Sequence, residues 1–218
     1  MKKRLIIGII LLTFLTTINF KQEKIISKFD IKEINIEKNS LIKEQDIKRL
    51  LTPIYNKNLL FLKSKEIETL LMQNDLIESF NIKKKYPNSL SIRIFEKKPI
   101  LILYNKTNKF YLSDKIELIK FKPIKGYKNL PYVFGNKEQF KIFYNNLKKI
   151  NFPFDLINKY TLYESNRWDL ETKSKKMIKL PQKGYTESLK NFLDLSTKES
   201  YKKFDTFDYR IKDQLILK

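Results

Sequence analysis

The run YPNSLSIRIFEKKPILILY, Tyr86 to Tyr104, constrains the fold more than any other stretch of the chain. Leu90, Ile92 and Ile94 alternate with Ser91, Arg93 and Phe95, the period-two pattern of a strand with one buried face. Glu96-Lys97-Lys98-Pro99 breaks the pattern, and Pro99 removes a backbone N–H donor there. Ile100 to Tyr104 then runs without a polar interruption, as a strand covered on both faces does. Two differently patterned strands meeting at Glu96 and Pro99 predict a junction between two small domains. A length of 218 residues suits two such units.

Upstream of the junction, residues 28–98 predict a strand–helix–helix–strand–strand unit. Phe29 to Glu37 reads as a strand whose alternation shifts register near Lys32-Glu33. Ile47, Leu50 and Leu51 form the stripe of a short helix that Pro53 ends. In the second helix Ser64 is placed to act as N-cap, Glu66 suits the positive first turn, and Ile67, Leu70 and Leu71 face inward. Two strands follow around Phe80-Ile82 and Leu90-Ile94, turned at Pro87-Asn88. Two helices on one face of a small sheet make an α+β unit.

Residues 99–218 predict a β-rich unit with helices. Short strands are read in FYLSD and IELIKF. Asn136 and Gln139 have the spacing of an N-cap and its N3 partner. They open a helix with Phe140, Phe143, Tyr144, Leu147 and Ile150 on its apolar face. Tyr160, Leu162, Trp168, Leu170, Met177 and Ile178 mark an antiparallel meander. A further helix carries Leu189, Phe192 and Leu193. Phe204 to Ile211 reads as a strand, and Gln214 to Leu217 extends it or adds another.

The chain opens with Lys2, Lys3 and Arg4 at residues 1–4, then sixteen uncharged residues, Leu5 to Phe20, closed by Lys21. Such a helix is about 24 Å long against a ~30 Å hydrocarbon core, with Lys3, Arg4 and Lys21 able to snorkel from its ends. A cleaved signal peptide is the rival reading, but the small candidates near the end of the run, Thr13, Thr16 and Thr17, do not make a convincing Ala-x-Ala-like site. The reading is a single transmembrane helix over 5–20, a juxtamembrane link over 21–27, and a cytoplasmic N-terminus set by the leading charges.

Neither Cys nor His occurs, which excludes disulfides, Cys-based zinc sites and His-based acid–base chemistry. Asp205, Asp208 and Asp213 lie in a strand-like context that falls short of a calcium loop. Ser174 sits among turn lysines, where a Ser–Lys pair would lack the desolvation it needs. Gly126, Gly135 and Gly184 are isolated, so no phosphate-cradling loop is present. No enzymatic role and no cofactor is read. The net charge of +21 comes from lysine spread along the whole chain, a solvated surface in the first instance. Tyr160, Tyr163 and Trp168 among lysines leave a nucleic-acid-binding module as a lesser alternative. Their alternation favours a sheet core. A last strand at a sheet edge would offer unpaired backbone groups to a partner strand.

In order and spacing these features resemble the FtsQ/DivIB family of bacterial cell-division proteins. The residues that carry the likeness are Tyr86-Pro87, Leu90, Ile92, Ile94, Glu96 and Pro99, then Leu130-Pro131 with Gly135, Trp168 with Leu170, and Asp208-Tyr209-Arg210. Where the family usually has Leu this chain has Tyr209, and the turns after Asp114 and at Lys173–Lys176 lack the family's Gly. The resemblance implies a membrane helix, a POTRA-like domain and a second β-rich domain. It implies a non-enzymatic scaffold of the divisome in the cell inner membrane, with both domains periplasmic and the protein gathered at the septum. It further implies FtsB and FtsL as partners, with other division proteins meeting the POTRA-like domain. The partner strand maps to Tyr209, Ile211, Gln214, Leu215, Ile216 and Leu217. A general cell-envelope adaptor is the alternative.

Overall fold

The structure is a computed structural model describing residues 2–17 and 27–218. It divides into two compact units, Met1–Glu96 and Lys97–Lys218.

The first unit opens with helix α1, Lys2–Thr17. Ile6, Ile7, Ile9, Ile10, Leu11 and Leu12 are all exposed on it, so the helix is apolar around its whole circumference. At 16 residues it is about 24 Å long. It starts three residues before the span read from the sequence, whose last three residues lie outside the described ones. Among the described residues no helix is long and apolar enough to cross a membrane. Lys21 lies outside the described residues, as do the side chains of Lys3 and Arg4.

The remaining elements of this unit are β1 (Glu33–Glu37), α2 (Glu44–Leu50), α3 (Ser64–Leu71), β2 (Ile77–Lys85) and β3 (Ser89–Glu96). The sheet order is β1-β3-β2, with β1 parallel to β3 and β2 antiparallel to it. Ile47 from α2 and Leu51 just after it, Ile67 and Leu71 from α3, and Leu90, Ile92 and Ile94 from β3 share one core. Two local expectations are corrected. The first strand begins only at Glu33, because Phe29 ends a 3-10 turn and Ile31 pairs with the loop at Asn56 and Lys57. Ser64 is the first helical residue; Lys63 holds the cap position, and Glu66 Oε1 accepts its backbone N–H at 3.4 Å.

The second unit runs β4 (Pro99–Asn105), β5 (Asn108–Ser113), β6 (Leu118–Lys120), β7 (Tyr132–Phe134), α4 (Lys137–Lys149), β8 (Ile157–Leu162), β9 (Trp168–Thr172) and β10 (Met177–Lys179). It ends with α5 (Tyr185–Ser196), β11 (Thr206–Asp208) and β12 (Ile216–Leu217). Its strands form one nine-stranded sheet in the order β12-β11-β10-β9-β8-β7-β4-β5-β6. The sheet is mixed, not antiparallel throughout: β7 is parallel to β4 and β8, and β11 to β10. The last two of these parallel pairs are joined by the crossover helices α4 and α5, as parallel neighbours require. Asn136 caps α4, its Oδ1 accepting the Gln139 N–H at 2.9 Å. Phe140, Phe143, Tyr144 and Leu147 turn the expected face into the core, where Phe143 stacks on Trp168 at 4.9 Å. Tyr160 and Trp168 are buried there, so they cannot serve as stacking platforms for bases.

Gly135 lies where its backbone touches that core. A Cβ on it would stand 2.9 Å from Leu162 Cβ and 3.4 Å from Trp168 Cη2. The two turns that lack the family's Gly hold Ile116 and Lys175 at φ of 57° and 66°, the left-handed region that favours glycine.

Candidate functional site

The strand expected over Phe204–Ile211 is shorter, and the reason lies in its side chains. Asp208 ends β11 by folding its carboxylate onto the next turn. Its Oδ1 accepts the Arg210 backbone N–H at 3.1 Å and the Arg210 Nε at 2.8 Å, while its Oδ2 accepts Nη2 at 2.6 Å. The guanidinium holds the Asp208 carboxyl below the ordinary carboxylate range, against an opposing effect of burial. Tyr209 makes the last backbone bond along β10 before the chain leaves the strand path. Its N–H donates to Lys179 O at 2.8 Å, and its phenol donates to Asn191 Oδ1 on α5 at 3.0 Å. The Tyr209 side chain is only 7% exposed, and burial raises the phenol's pKa.

From this anchored point the chain makes an exposed turn through Ile211–Gln214 and returns as β12. Between the turn and the first half of α5 lies a groove of about 790 Å³. Tyr209, Ile211, Gln214 and Leu215 line one side; Gly184, Glu187, Ser188 and Asn191 line the other. Ile211 is 51% exposed beside it. Four of the six partner residues inferred from the sequence thus meet at one groove. The other two, Ile216 and Leu217, form the adjoining strand. The α5 wall was missed, although Glu187 and Asn191 stand four residues apart on the helix's polar face.

β12 is an edge strand. It pairs antiparallel with β11 through Phe207↔Leu217 and Asp208↔Ile216. Thr206 and Lys218 exchange both backbone hydrogen bonds, at 3.0 and 3.2 Å. In an antiparallel ladder such pairs alternate with non-bonded ones, so the N–H and C=O of Leu217 point away from β11. Leu217 packs its side chain on the core, whereas Ile216 is 37% exposed on the opposite face. The site therefore offers outward backbone groups, an apolar residue beside them, and a groove of mixed polarity. These are the elements of strand addition with side-chain selection.

The junction residues have separate places. Pro99 begins β4 in the second unit. Glu96 ends β3, and its carboxylate collects three consecutive backbone N–H groups of the first unit. Oε2 accepts Ser40 N–H at 3.0 Å and Leu41 N–H at 2.8 Å, Oε1 accepts Ile42 N–H at 2.8 Å, and the Ser40 hydroxyl donates to Oε2 at 2.6 Å. It ties the loop before α2 to the end of the central strand.

Residues 29–97 match the family model described as POTRA domain, FtsQ-type. Cell division protein FtsQ of Rickettsia felis is 29% identical over 205 residues, covering 90% of this chain and 75% of that protein. The FtsQ of Rickettsia conorii is 28% identical over 207 residues, covering 93% and 76%. The extracytoplasmic domain of the cell division protein DivIB from Geobacillus stearothermophilus aligns at a TM-score of 0.33 with 11% identity, over 50% of this chain and 98% of that one. Residues 29–97 thus match an FtsQ-type POTRA domain, and the chain is similar over most of its length to cell division protein FtsQ of these Rickettsia species.

Proposed function

We propose that this protein is a non-enzymatic, single-pass scaffold of the bacterial divisome, and that it grips a partner polypeptide at β12. The supporting observation is the open edge of that strand, where the pairing parity turns the Leu217 N–H and C=O outward. A partner strand added there gains main-chain pairing as general affinity. Ile211, Gln214, Leu215 and Ile216, with the groove beside them, select its side chains. The family resemblance names FtsB and FtsL as those partners, and other division proteins as visitors to the POTRA domain. Residues 28–98 and 99–218 are the two working domains, met at Glu96 and Pro99.

The anchor is α1. An apolar surface exposed around a whole helix needs a non-aqueous cover, and a bilayer supplies one. Lys3, Arg4 and Lys21 flank the run, place the N-terminus in the cytoplasm and the two domains in the periplasm, and complete a span slightly shorter than the hydrocarbon core. Localisation at the septum follows from the partners.

Leu215 has the same strand parity as Leu217, so Leu215→Pro removes an outward donor while sparing the β11 pairs. In a pull-down with the FtsB–FtsL pair, the full-length variant loses binding while its circular dichroism is retained. Undiminished capture by a folded variant rejects the edge as the binding site.

A further inference from the structure

Three segments converge at one end of the first unit, where the chain arrives from α1. Leu59 N–H donates to Phe29 O at 2.8 Å, and Asp30 bridges to Asn58. Phe29 meets Tyr86 edge to face at 6.3 Å, and Lys84 Nζ donates to Leu62 O at 2.9 Å. This end presents Phe61, Leu60 and Tyr86 to solvent, at 74%, 46% and 60% exposure. Exposed Lys28, Lys57, Lys63 and Lys85 lie on the same three segments, within three residues of Phe29, Leu60, Phe61 or Tyr86. Half-buried Asp30 and exposed Glu33, whose Oε2 accepts from the Ser89 hydroxyl at 3.2 Å, are the carboxylates of the entry segment; Glu66 pairs with Lys57 at 2.6 Å.

We propose that this end of the POTRA domain rests on an anionic bilayer surface, with Phe61 and Leu60 entering the headgroup layer and Tyr86 beside them. The inference rests on the anchored reading of α1. Ten residue steps separate Thr17 from Ser27, a reach of at most about 35 Å. The basic, aromatic end is therefore tethered within range of the membrane that holds α1. Exposed aromatic and leucine side chains on lysine-rich segments match that interface in both polarity and charge. Among the described residues, nothing in the packing of the unit accounts for a phenylalanine and a leucine side by side at an exposed turn, since the core residues of this loop are Leu59 and Leu62.

The chain has no cysteine, so one introduced cysteine carries a spin label at a single place. Full-length protein is reconstituted in lipid discs with and without phosphatidylglycerol. Labels are placed at Leu60→Cys, at Gln73→Cys beyond the opposite end of β2, and at Leu11→Cys in α1. Collision with a water-soluble nickel chelate and with oxygen is measured for each. The expected result is a severalfold loss of chelate access at position 60 in the anionic discs only, none at position 73, and reversal at position 60 by Phe61→Ser. If position 11 lies in hydrocarbon while position 60 stays as open to the chelate as position 73, the proposal is overturned and the anchor stands. Equal shielding of position 60 in neutral discs overturns its anionic selectivity. If position 11 is itself open to the chelate, the anchored reading fails and the proposal falls with it.

Discussion

Glu96 offers the most quantitative test of how the POTRA domain is held together. Its carboxylate accepts the N–H groups of Ser40, Leu41 and Ile42 and the Ser40 hydroxyl, all within 3.0 Å. Hydrogen bonds to a charged group contribute roughly 1.5–3 kcal/mol net, and the cost rises where the abandoned donor is buried. Water can reach Ser40, which is exposed, and to some extent Leu41; Ile42 is 5% exposed and its N–H has the least access. Glu96→Ala should therefore cost about 2–3 kcal/mol, weighted towards the Ile42 bond. At about 1.4 kcal/mol per decade, that is a 30- to 150-fold rise in amide exchange across α2 and β3. Glu96→Gln separates charge from packing. Both carboxylate oxygens accept backbone N–H groups, so an amide NH₂ must face a donor, and most of the loss should remain. Hydrogen exchange read by mass spectrometry on the full-length protein measures both variants. Wild-type protection in Glu96→Gln would refute the claim that an ionised acceptor fixes this loop.

Two further outcomes test the second unit. The Asp208 carboxyl is held low by Arg210, so its contribution is complete above its unfolded pKa of about 4 and disappears as pH falls through the lower folded value. Asp208→Asn should flatten that acid-side loss in pH-dependent thermal unfolding and weaken partner capture by loosening the groove turn; an unchanged acid slope contradicts it. Gly135→Ala must push a methyl against Leu162 and Trp168, at a cost of about 1–3 kcal/mol. The emission of Trp168, the sole tryptophan, should show a lowered urea midpoint, and an unmoved midpoint would show that Leu162 yields freely.

Local patterns were legible where one residue's environment is set by its near neighbours. The Asn136–Gln139 cap and the inward face of Phe140 to Leu147 fall where their spacing puts them. The alternation of Leu90, Ile92 and Ile94 likewise marks the buried face of β3. Sheet pairing was less legible, because parallel neighbours such as β10 and β11 are chosen by the crossover path of α5 and not by either strand's pattern. The C-terminal region shows the same limit. Asp208-Tyr209-Arg210 alternates like a strand, yet the Asp208–Arg210 contacts turn the chain after Tyr209, whose phenol is held by Asn191. Period-two patterning carries no sign of those contacts. The groove had to await the tertiary structure for the same reason, since its two walls lie about 25 residues apart in the chain.

The central claim is that a partner strand adds to β12, and the Leu217 amide reports on it directly. Residue-resolved amide exchange should be followed in the full-length protein, alone and saturated with the FtsB–FtsL pair. Leu217 N–H should become strongly protected on binding, while Lys218 N–H, already bonded to Thr206 O, changes little. A saturated complex in which Leu217 exchanges as fast as in the free protein would contradict strand addition at this edge.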